Sequence, residues 1–275
     1  HEKFGVPTAQ GTGNEIAHLL DVASRCAPDE RACLTLTATF GLERSLLIRS
    51  GGDEAGQPDM VHLTSLHNGK PEPILSGTSW AGVLRSRALR IANTVGAQRK
   101  AGTYVSDLFG PRITNSSVKP RASRLWVDES VIESPAEPLI VQRVQIDRFT
   151  GGTLPGALFA EQPVFSTPQT EVTLTITVQT PHHNGEDLHH RLEADAGLLL
   201  LLLKDLWVGD LPIGGEASVG RGRLEGRRAR LSIQRSDSSK GPTWTLTRAG
   251  ERITVEGDAA ELERMVKVFL EEVQA

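Results

Sequence analysis

The sequence predicts an α+β fold of the ferredoxin-like (RRM-like) type. Segments that alternate apolar and polar residues, as strands do, are interleaved with segments whose apolar residues recur at helical spacing. Their order is strand, helix, inserted short strands, strand, helix, strand, which is the split βαβ order of ferredoxin-like folds. The length of 275 residues is also enough to bury a sizeable core without disulfides.

The first half of this pattern starts at Cys33. The segment CLTLTATFGLERSLLIRS alternates up to Phe40 and predicts one long or bulged strand with its β-branched threonines on one side. A loop rich in helix and strand breakers follows it. The segment SGTSWAGVLRSRALRIANTV then predicts a helix, for which Ser76 and Ser79 are candidate N-caps.

The second half begins after a segment of mixed character. Residues 97–165 contain many Pro, Gly and Ser residues and only short strand-like pieces, which indicates insertions and not a second core. Regular periodicity returns with the strand EVTLTITVQT, the helix HRLEADAGLLLLLLKDLWV and the strand RLEGRRARLSIQR. Residues 232–275 predict a hairpin and an amphipathic helix capped by Asp258.

The composition narrows the possible partners. The net charge is −4, so any nucleic-acid contact has to use a local cluster of Lys and Arg. Cys26 and Cys33 have no second cysteine pair with which to bind zinc, and we interpret them as reduced thiols. No signal peptide or membrane-length apolar run is present, which predicts a cytoplasmic protein without a membrane partner.

The segment LPIGGEASVGRGRLEG, residues 211–226, is called the glycine loop below. It lacks the Gly-Lys-Ser/Thr ending of a P-loop, and its glycines do not have the spacing of a dinucleotide fingerprint. A strand and not a helix is predicted to follow it, which favours a backbone that lies along an extended polyanion. A glycine-rich turn without any ligand remains the alternative.

Four histidines in PHHNGEDLHHRL invite a metal-site interpretation. They are His182, His183, His189 and His190. Metal ligands on a helix are typically four residues apart, whereas adjacent histidines point in different directions. The sequence therefore favours a polar loop at this position.

Four segments in register resemble the RAMP superfamily, and more narrowly the RNA-binding backbone subunits of type III CRISPR effector complexes. The segments are ILSGTSWAGVLRSRAL, DLFGPRITNSSVKPRASRLWVDES, VQIDRFTGGTLPGALFAEQPVF and the glycine loop. The resemblance implies a palm domain over residues 31–231 with a thumb hairpin at about 139–165. Residues 1–30 then form a leader with a short helix, and residues 232–275 form a C-terminal appendage.

The resemblance also implies partners: a guide crRNA, a target RNA, sister backbone subunits and other subunits of the effector complex. In such relatives the thumb wedges between bases and the glycine loop meets the guide backbone. We expect the loop's main-chain amides to approach phosphates that arginines neutralise. The RNA-binding residues expected on this basis are Ser79, Arg85, Arg143, Ile146, Arg148, Phe149, Gly214, Gly215, Gly220, Arg221, Gly222 and Arg223.

In active relatives one loop aspartate after the first strand supports metal-dependent cleavage of target RNA. Asp59 best matches its position, and Asp53 is the reserve. The implied cofactor is Mg²⁺ or Mn²⁺, bound at Asp59. His62 and His67 are candidates to assist proton transfer, with simple solvation as the alternative.

The sequence departs from the family pattern at two positions. Ala81 stands where a lysine is common, which removes one expected phosphate contact and leaves Arg85 to compensate, and Ser76 replaces a proline.

Three alternative functions stay open: a purely structural guide-binding subunit, a metal-independent guide-processing ribonuclease, and an enzyme with a phosphate-bearing ligand. The hairpin and the LFG segment argue against the second alternative, and the failed fingerprints argue against the third.

Overall fold

A computed structural model describes residues 32–50, 58–114, 118–180, 188–234, 240–250 and 252–274. Residues 31–275 form one compact unit, and the predicted leader of residues 1–30 lies outside the described residues. The helices are α1 Gly77–Val95, α2 Gln98–Phe109, α3 Leu188–Trp207 and α4 Ala259–Gln274. The strands are β1 Cys33–Glu43, β2 Ser45–Leu46, β3 Arg49–Ser50, β4 Met60–His62, β5 Thr64–His67, β6 Lys70–Leu75, β7 Leu125–Val127, β8 Ser130–Glu133, β9 Val141–Ile146, β10 Thr153–Gln162, β11 Val164–Phe165, β12 Glu171–Gln179, β13 Arg223–Gln234, β14 Lys240–Ala249 and β15 Arg252–Glu256.

A nine-stranded sheet forms the centre of this unit. Its order is β15-β14-β13-β1-β12-β8-β6-β5, and β7 also pairs with β12. Strand β1 lies between β12 and β13 and is antiparallel to both. Helix α1 lies between β1 and β8 in the chain, and α3 connects β12 to β13. The predicted α+β class is confirmed, while its ferredoxin-like subtype stays a prediction.

Strand β1 alternates between the core and the opposite face as its sequence predicts. Leu34, Leu36 and Phe40 are buried against the helices, and the intervening threonines lie on the other face. The Phe40 ring packs edge-on against the Trp207 ring of α3, with ring centroids 6.4 Å apart. Gly226 of β13 passes so close to this indole that an added Cβ would lie 1.9 Å from it, so only glycine fits there.

The helices cover one face of the sheet. Helix α1 starts at the predicted cap, where the Ser76 hydroxyl accepts a hydrogen bond from the Ser79 amide. Helix α2 lies within residues 97–165, for which the sequence predicted insertions with short strand-like pieces and no helix. Its buried residues Ala101, Tyr104, Val105 and Leu108 have helical spacing, although the surrounding Pro, Gly and Ser residues obscure the pattern.

A buried polar network ties the helices together. The Tyr104 hydroxyl donates to Asp195 of α3 at 2.7 Å, and Arg124 donates to the same carboxylate at 2.9 Å. Burial raises the pKa of Tyr104 well above its usual value, so this phenol stays protonated and keeps donating. The Arg191 guanidinium lies over the Tyr104 ring at 4.4 Å.

The C-terminal hairpin and helix continue the same packing. Strand β14 pairs with β13, and the predicted boundary between residues 231 and 232 falls inside β13. Helix α4 approaches α3 so closely that a Cβ added at Gly197 would lie 2.2 Å from the Met265 carbonyl oxygen. Arg264 of α4 donates two hydrogen bonds to the Glu193 carboxylate, at 2.5 and 2.6 Å.

Within the described ranges, no helix has both the length and the apolar character needed to cross a membrane.

Candidate nucleic-acid interface

The antiparallel pair β9 and β10, called the thumb hairpin below, projects from a second sheet of order β3-β4-β10-β9. At its base β10 pairs in parallel with β4, so that Glu161 lies opposite Met60 and Gln162 opposite Val61. This pairing brings the hairpin base next to Asp59, the residue that precedes β4.

The tip of the thumb hairpin is an ordered turn that presents an aromatic ring. The Asp147 carboxylate accepts hydrogen bonds from the Phe149 amide at 3.0 Å and the Thr150 hydroxyl at 2.9 Å. These two bonds lower the pKa of Asp147, the amide contributing more, so the carboxylate stays ionised near neutral pH. Phe149 is 96% exposed and Ile146 is 62% exposed. The hydrogen-bonded turn therefore displays apolar groups to solvent.

Asp59 is exposed at the hairpin base and is fixed by one hydrogen bond. Its Oδ2 atom accepts from the Ala160 amide of β10 at 2.6 Å. The bond orients the carboxylate while the residue as a whole remains accessible to solvent. The structure thus places the predicted catalytic aspartate beside the thumb hairpin. The reserve candidate Asp53 lies outside the described residues.

Five charged residues join the hairpin base to the glycine loop; we call them the thumb-base cluster. The members are Arg49, Arg143, Glu161, Glu216 and Arg221. Arg143 contacts Glu161 at 3.1 Å and Glu216 at 2.8 Å. Arg221 contacts Glu161 through Nη2 and Glu216 through Nε, the latter at 3.0 Å. The side chains of Arg143 and Arg221, both predicted to bind RNA, therefore hold two parts of the protein together.

The centre of the thumb-base cluster is buried. The side chain of Glu161 is 0% exposed and that of Arg221 is 9% exposed. Atoms Glu161 Oε2 and Arg221 Nη1 are buried and have no hydrogen-bond partner in the described part of the chain. Buried charges are tolerated only when they are paired, so each member depends on the others. Three arginines against two glutamates leave one positive charge in excess.

The glycine loop packs on the segment that follows β1. The Gly215 amide donates to the Leu47 carbonyl and the Gly222 amide to the Ser45 carbonyl, both at 2.8 Å, and the Gly220 amide donates to the Ala217 carbonyl at 3.0 Å. The glycine pattern predicted that these amides approach RNA phosphates. In the structure their hydrogens are already donated to carbonyl groups, and the glycines allow close packing within the protein.

Two glycines of this loop differ in their surroundings and supply a matched pair of variants. Both have positive φ, +76° at Gly222 and +86° at Gly220. A Cβ at Gly222 would lie 1.8 Å from the Ile213 carbonyl oxygen, whereas a Cβ at Gly220 would meet nothing within 4 Å. Gly220→Ala should lower the free energy of unfolding by about 1–2 kcal/mol from backbone strain alone. Gly222→Ala should lower it by at least about 3 kcal/mol, and equal losses in urea denaturation would contradict the packing described for Gly222.

His62 is buried behind the hairpin base with both ring nitrogens engaged. Its Nδ1 accepts from the Ile48 amide at 3.2 Å, so Nε2 carries the proton and donates to the Ile74 carbonyl at 3.0 Å. Burial lowers the pKa of His62 below its usual 6.5. A neutral ring with no spare nitrogen is unsuited to proton transfer, and His62 has a structural role. His67 pairs with Glu129 at 3.0 Å on the surface.

The lowered pKa of His62 makes stability depend on pH. The unfolded chain binds this proton near pH 6.5, whereas the folded chain resists it to lower pH. The free energy of unfolding should therefore fall as the pH drops below about 6.5, until the pKa of the folded state is passed. Urea denaturation between pH 5 and 8 should show a shallower acid loss for His62→Gln than for the native protein. Parallel pH curves would show that His62 does not titrate in this way.

The remaining predicted RNA-binding residues lie apart from the thumb-base cluster. Arg148 is exposed near the hairpin tip, and Arg223 is exposed at the start of β13. Arg85 is partly buried on α1, and Ser79 lies in the first turn of that helix. Among the described residues, neither Ser79 nor Arg85 makes a hydrogen bond or ion pair with the cluster.

No group of three or more potential metal ligands occurs in the portion of the chain that the structure describes. His189 lies 3.1 Å from Glu193, and His190 lies 3.9 Å from Glu272. His182 and His183 fall outside the described residues. Asp59, the predicted metal ligand, therefore belongs to no such group within the described residues. One carboxylate is sufficient for Mg²⁺, which completes its coordination with water and substrate phosphates.

Sequence reasoning missed Arg49, Glu161 and Glu216 of the thumb-base cluster. For each of the two acidic residues, the surrounding sequence contained one signal of a buried charge. Glu161 is the one charged residue in the stretch ALFAEQPVF, and Glu216 stands inside the glycine loop before Arg221. A lone acid in such surroundings indicates a partner of opposite charge, although it does not say which one.

A family model described as the RAMP superfamily matches residues 44–225. This range contains Asp59, the thumb hairpin and nearly all of the glycine loop, and it ends before β14, β15 and α4. No curated protein matches the chain.

Proposed function

The chain belongs to the RAMP superfamily, and from this premise we propose that it is a guide-RNA-binding backbone subunit of a type III CRISPR effector complex that also cleaves target RNA. Membership of the family gives the chain a CRISPR-associated RNA-binding role in general. The subunit type, the guide and the cleavage activity are the parts that we propose.

The position of Asp59 is the observation that carries the proposal. An exposed carboxylate, held by the Ala160 amide, lies at the base of a hairpin whose tip is a bare aromatic ring. A hairpin that separates bases unstacks the strand next to it, which leaves the adjacent phosphodiester accessible. A carboxylate beside such a phosphodiester is in position to support its hydrolysis.

Guide binding in this proposal does not depend on base sequence. Phe149 and Ile146 offer apolar surface that can wedge against any base, because every base has an apolar face. Arg148 and Arg223 are exposed and supply positive charge for phosphates. The thumb-base cluster keeps the hairpin in a fixed position relative to the glycine loop.

Asp59 would hold the divalent cation, Mg²⁺ or Mn²⁺. When bound, the cation would supply positive charge for the scissile phosphate and acidify a hydroxyl or water. The protein's own contribution is to orient the carboxylate through the Ala160 amide and to hold the RNA against the hairpin. His62 takes no part in this chemistry, because both of its ring nitrogens are occupied.

The complex assembled with its partner subunits provides the test. We expect it to co-purify with a guide RNA and to cut a complementary target at regular spacing when Mg²⁺ is present. Chelation of the metal should stop cutting and leave target binding intact. A complex without guide RNA would refute the backbone role, and cutting that persists in chelator would refute the metal-dependent mechanism.

A purely structural guide-binding subunit is the second candidate. It is favoured by the lack, among the described residues, of any group of three or more potential metal ligands around Asp59. The same chelator experiment separates the two candidates. A complex that binds guide and target but never cuts would support the structural role.

A further inference from the structure

The face of the central sheet opposite the helices carries an ordered array of polar side chains. Strands β12, β1, β13 and β14 present their outward residues in register across it. One row runs from Thr173 through Thr39 and Arg228 to Thr247, and the next from Thr175 through Thr37 and Arg230 to Thr245. The apolar residues of β1 point the other way, into the core beneath the helices.

The charge of this face is opposite in sign to that of the whole chain. Arg228, Arg230 and Arg252 are exposed, and none of them has an ion pair within the described ranges. Glu256 on β15 and Glu133 on β8 are exposed acids at the edges of the array, and Glu171, which lies opposite Glu133, pairs with Arg227 at 3.0 Å. A basic face on a chain of net charge −4 is complementary to a polyanion.

The face also carries an aromatic side chain at its far side. Trp126 of β7 lies opposite Thr177 of β12 and is 45% exposed. The other three tryptophans, Trp80, Trp207 and Trp244, are buried. From β7 to β13 the face spans three strand spacings, about 14 Å. The exposed indole lies at a distance from the unpaired arginines that allows one RNA strand to contact both. One base of the RNA would stack on the indole, and its phosphates would lie on the arginines.

We propose that this face is a second surface for single-stranded RNA, separate from the thumb hairpin. Arg228 and Arg230 are two residues apart on β13, about 7 Å along the strand, and would contact successive parts of a phosphate backbone. The threonine hydroxyls would donate to and accept from phosphate and ribose oxygens. Trp126 would stack on a base without selecting its identity. The inference rests on the RNA-binding role of the proposed function but uses none of its residues.

The fluorescence of Trp126 gives a direct test with the purified full chain and a 20-nucleotide oligouridine. Addition of the RNA should quench the emission of the one exposed tryptophan, and Trp126→Phe should abolish the quenching. Trp126→Ala should weaken binding by about tenfold, within the range for loss of one stacked base. Absence of quenching in the native chain at concentrations that saturate binding would overturn the proposal.

Charge reversal tests the arginines independently. Arg228→Glu with Arg230→Glu should lower the affinity for the oligouridine at least about tenfold and reduce the slope of log affinity against log salt by about 1.4. The control is Arg90→Glu with Arg99→Glu, two exposed helical arginines with the same change in charge. Equal effects of the two double variants would mean that only net charge matters and would overturn the proposal.

The assembled complex separates this inference from the proposed function. If the Arg228 and Arg230 double variant keeps its RNA affinity but no longer joins its partner subunits, the face is a protein interface and the proposal is wrong. The proposed function would survive that outcome, because it is tested on the native complex and uses the thumb hairpin and Asp59. Loss of guide binding in the Phe149→Ala variant would concern the proposed function alone, because Phe149 lies on the thumb hairpin and not on this face.

Discussion

Replacement of Asp59 by alanine is expected to abolish cleavage of target RNA by the assembled complex while guide binding stays intact. The carboxylate is the protein's contribution to the proposed metal site, and such charge stabilisation is worth several kcal/mol. The cleavage rate should fall on the order of 10³-fold, since each 1.4 kcal/mol corresponds to a factor of ten. Cleavage is measured on a labelled target with the guide supplied in the complex.

Two control variants separate the charge of Asp59 from its hydrogen bond. Asp59→Asn keeps an oxygen that can accept from the Ala160 amide but loses the negative charge, so it should be as inactive as Asp59→Ala. Glu137→Ala removes an exposed acid shortly before the thumb hairpin and should cut like the native protein. An Asp59→Ala complex that still cuts at every position served by this subunit would eliminate the catalytic assignment.

Replacement of Glu161 by alanine should cause a large loss of stability. The substitution leaves Arg221, whose side chain is 9% exposed, and Arg143 with Glu216 as their shared partner. Removing one member of a buried ion pair lowers the free energy of unfolding by about 3–5 kcal/mol, because a buried charge is left without a partner. Urea denaturation of the purified chain measures this loss directly.

An exposed ion pair supplies the control for Glu161. Glu225 and Arg248 lie 3.0 Å apart, but the Glu225 side chain is 62% exposed. Such pairs contribute about 0–1 kcal/mol, so Glu225→Ala should change stability little. Similar losses for Glu161→Ala and Glu225→Ala would show that the thumb-base cluster does not hold the hairpin in place.

The sequence predicted the elements whose signals are local. The alternation of β1 and the Ser76 cap of α1 each involve residues close in the chain, and both are present in the structure. Helix α2 was missed because breaker residues around it outweighed the helical spacing of Tyr104 and Leu108. Composition averaged over a long segment concealed a short regular element.

The sequence named residues of the candidate site but not the contacts among them. It offered Asp59 and the thumb hairpin as candidates, and the structure places them side by side. The partners of Arg221 were not identified, because Glu161 lies 60 residues away and no local pattern selects it among the other acids. Likewise, the sequence does not distinguish a glycine whose amide donates to a carbonyl from one whose amide donates to a phosphate.

The parallel pairing of β4 with β10 has a consequence for the order in which the molecule forms. Asp59 and its hydrogen-bond partner Ala160 are separated by 101 residues, so their contact closes a long loop. Contacts of this kind form late in folding, because the entropy of loop closure is lost before they give any stabilisation. A chain emerging from the ribosome therefore exposes Asp59 long before its hairpin exists. The cleavage proposed for Asp59 would therefore have to await the finished domain, in which the carboxylate is oriented by its partner from the hairpin.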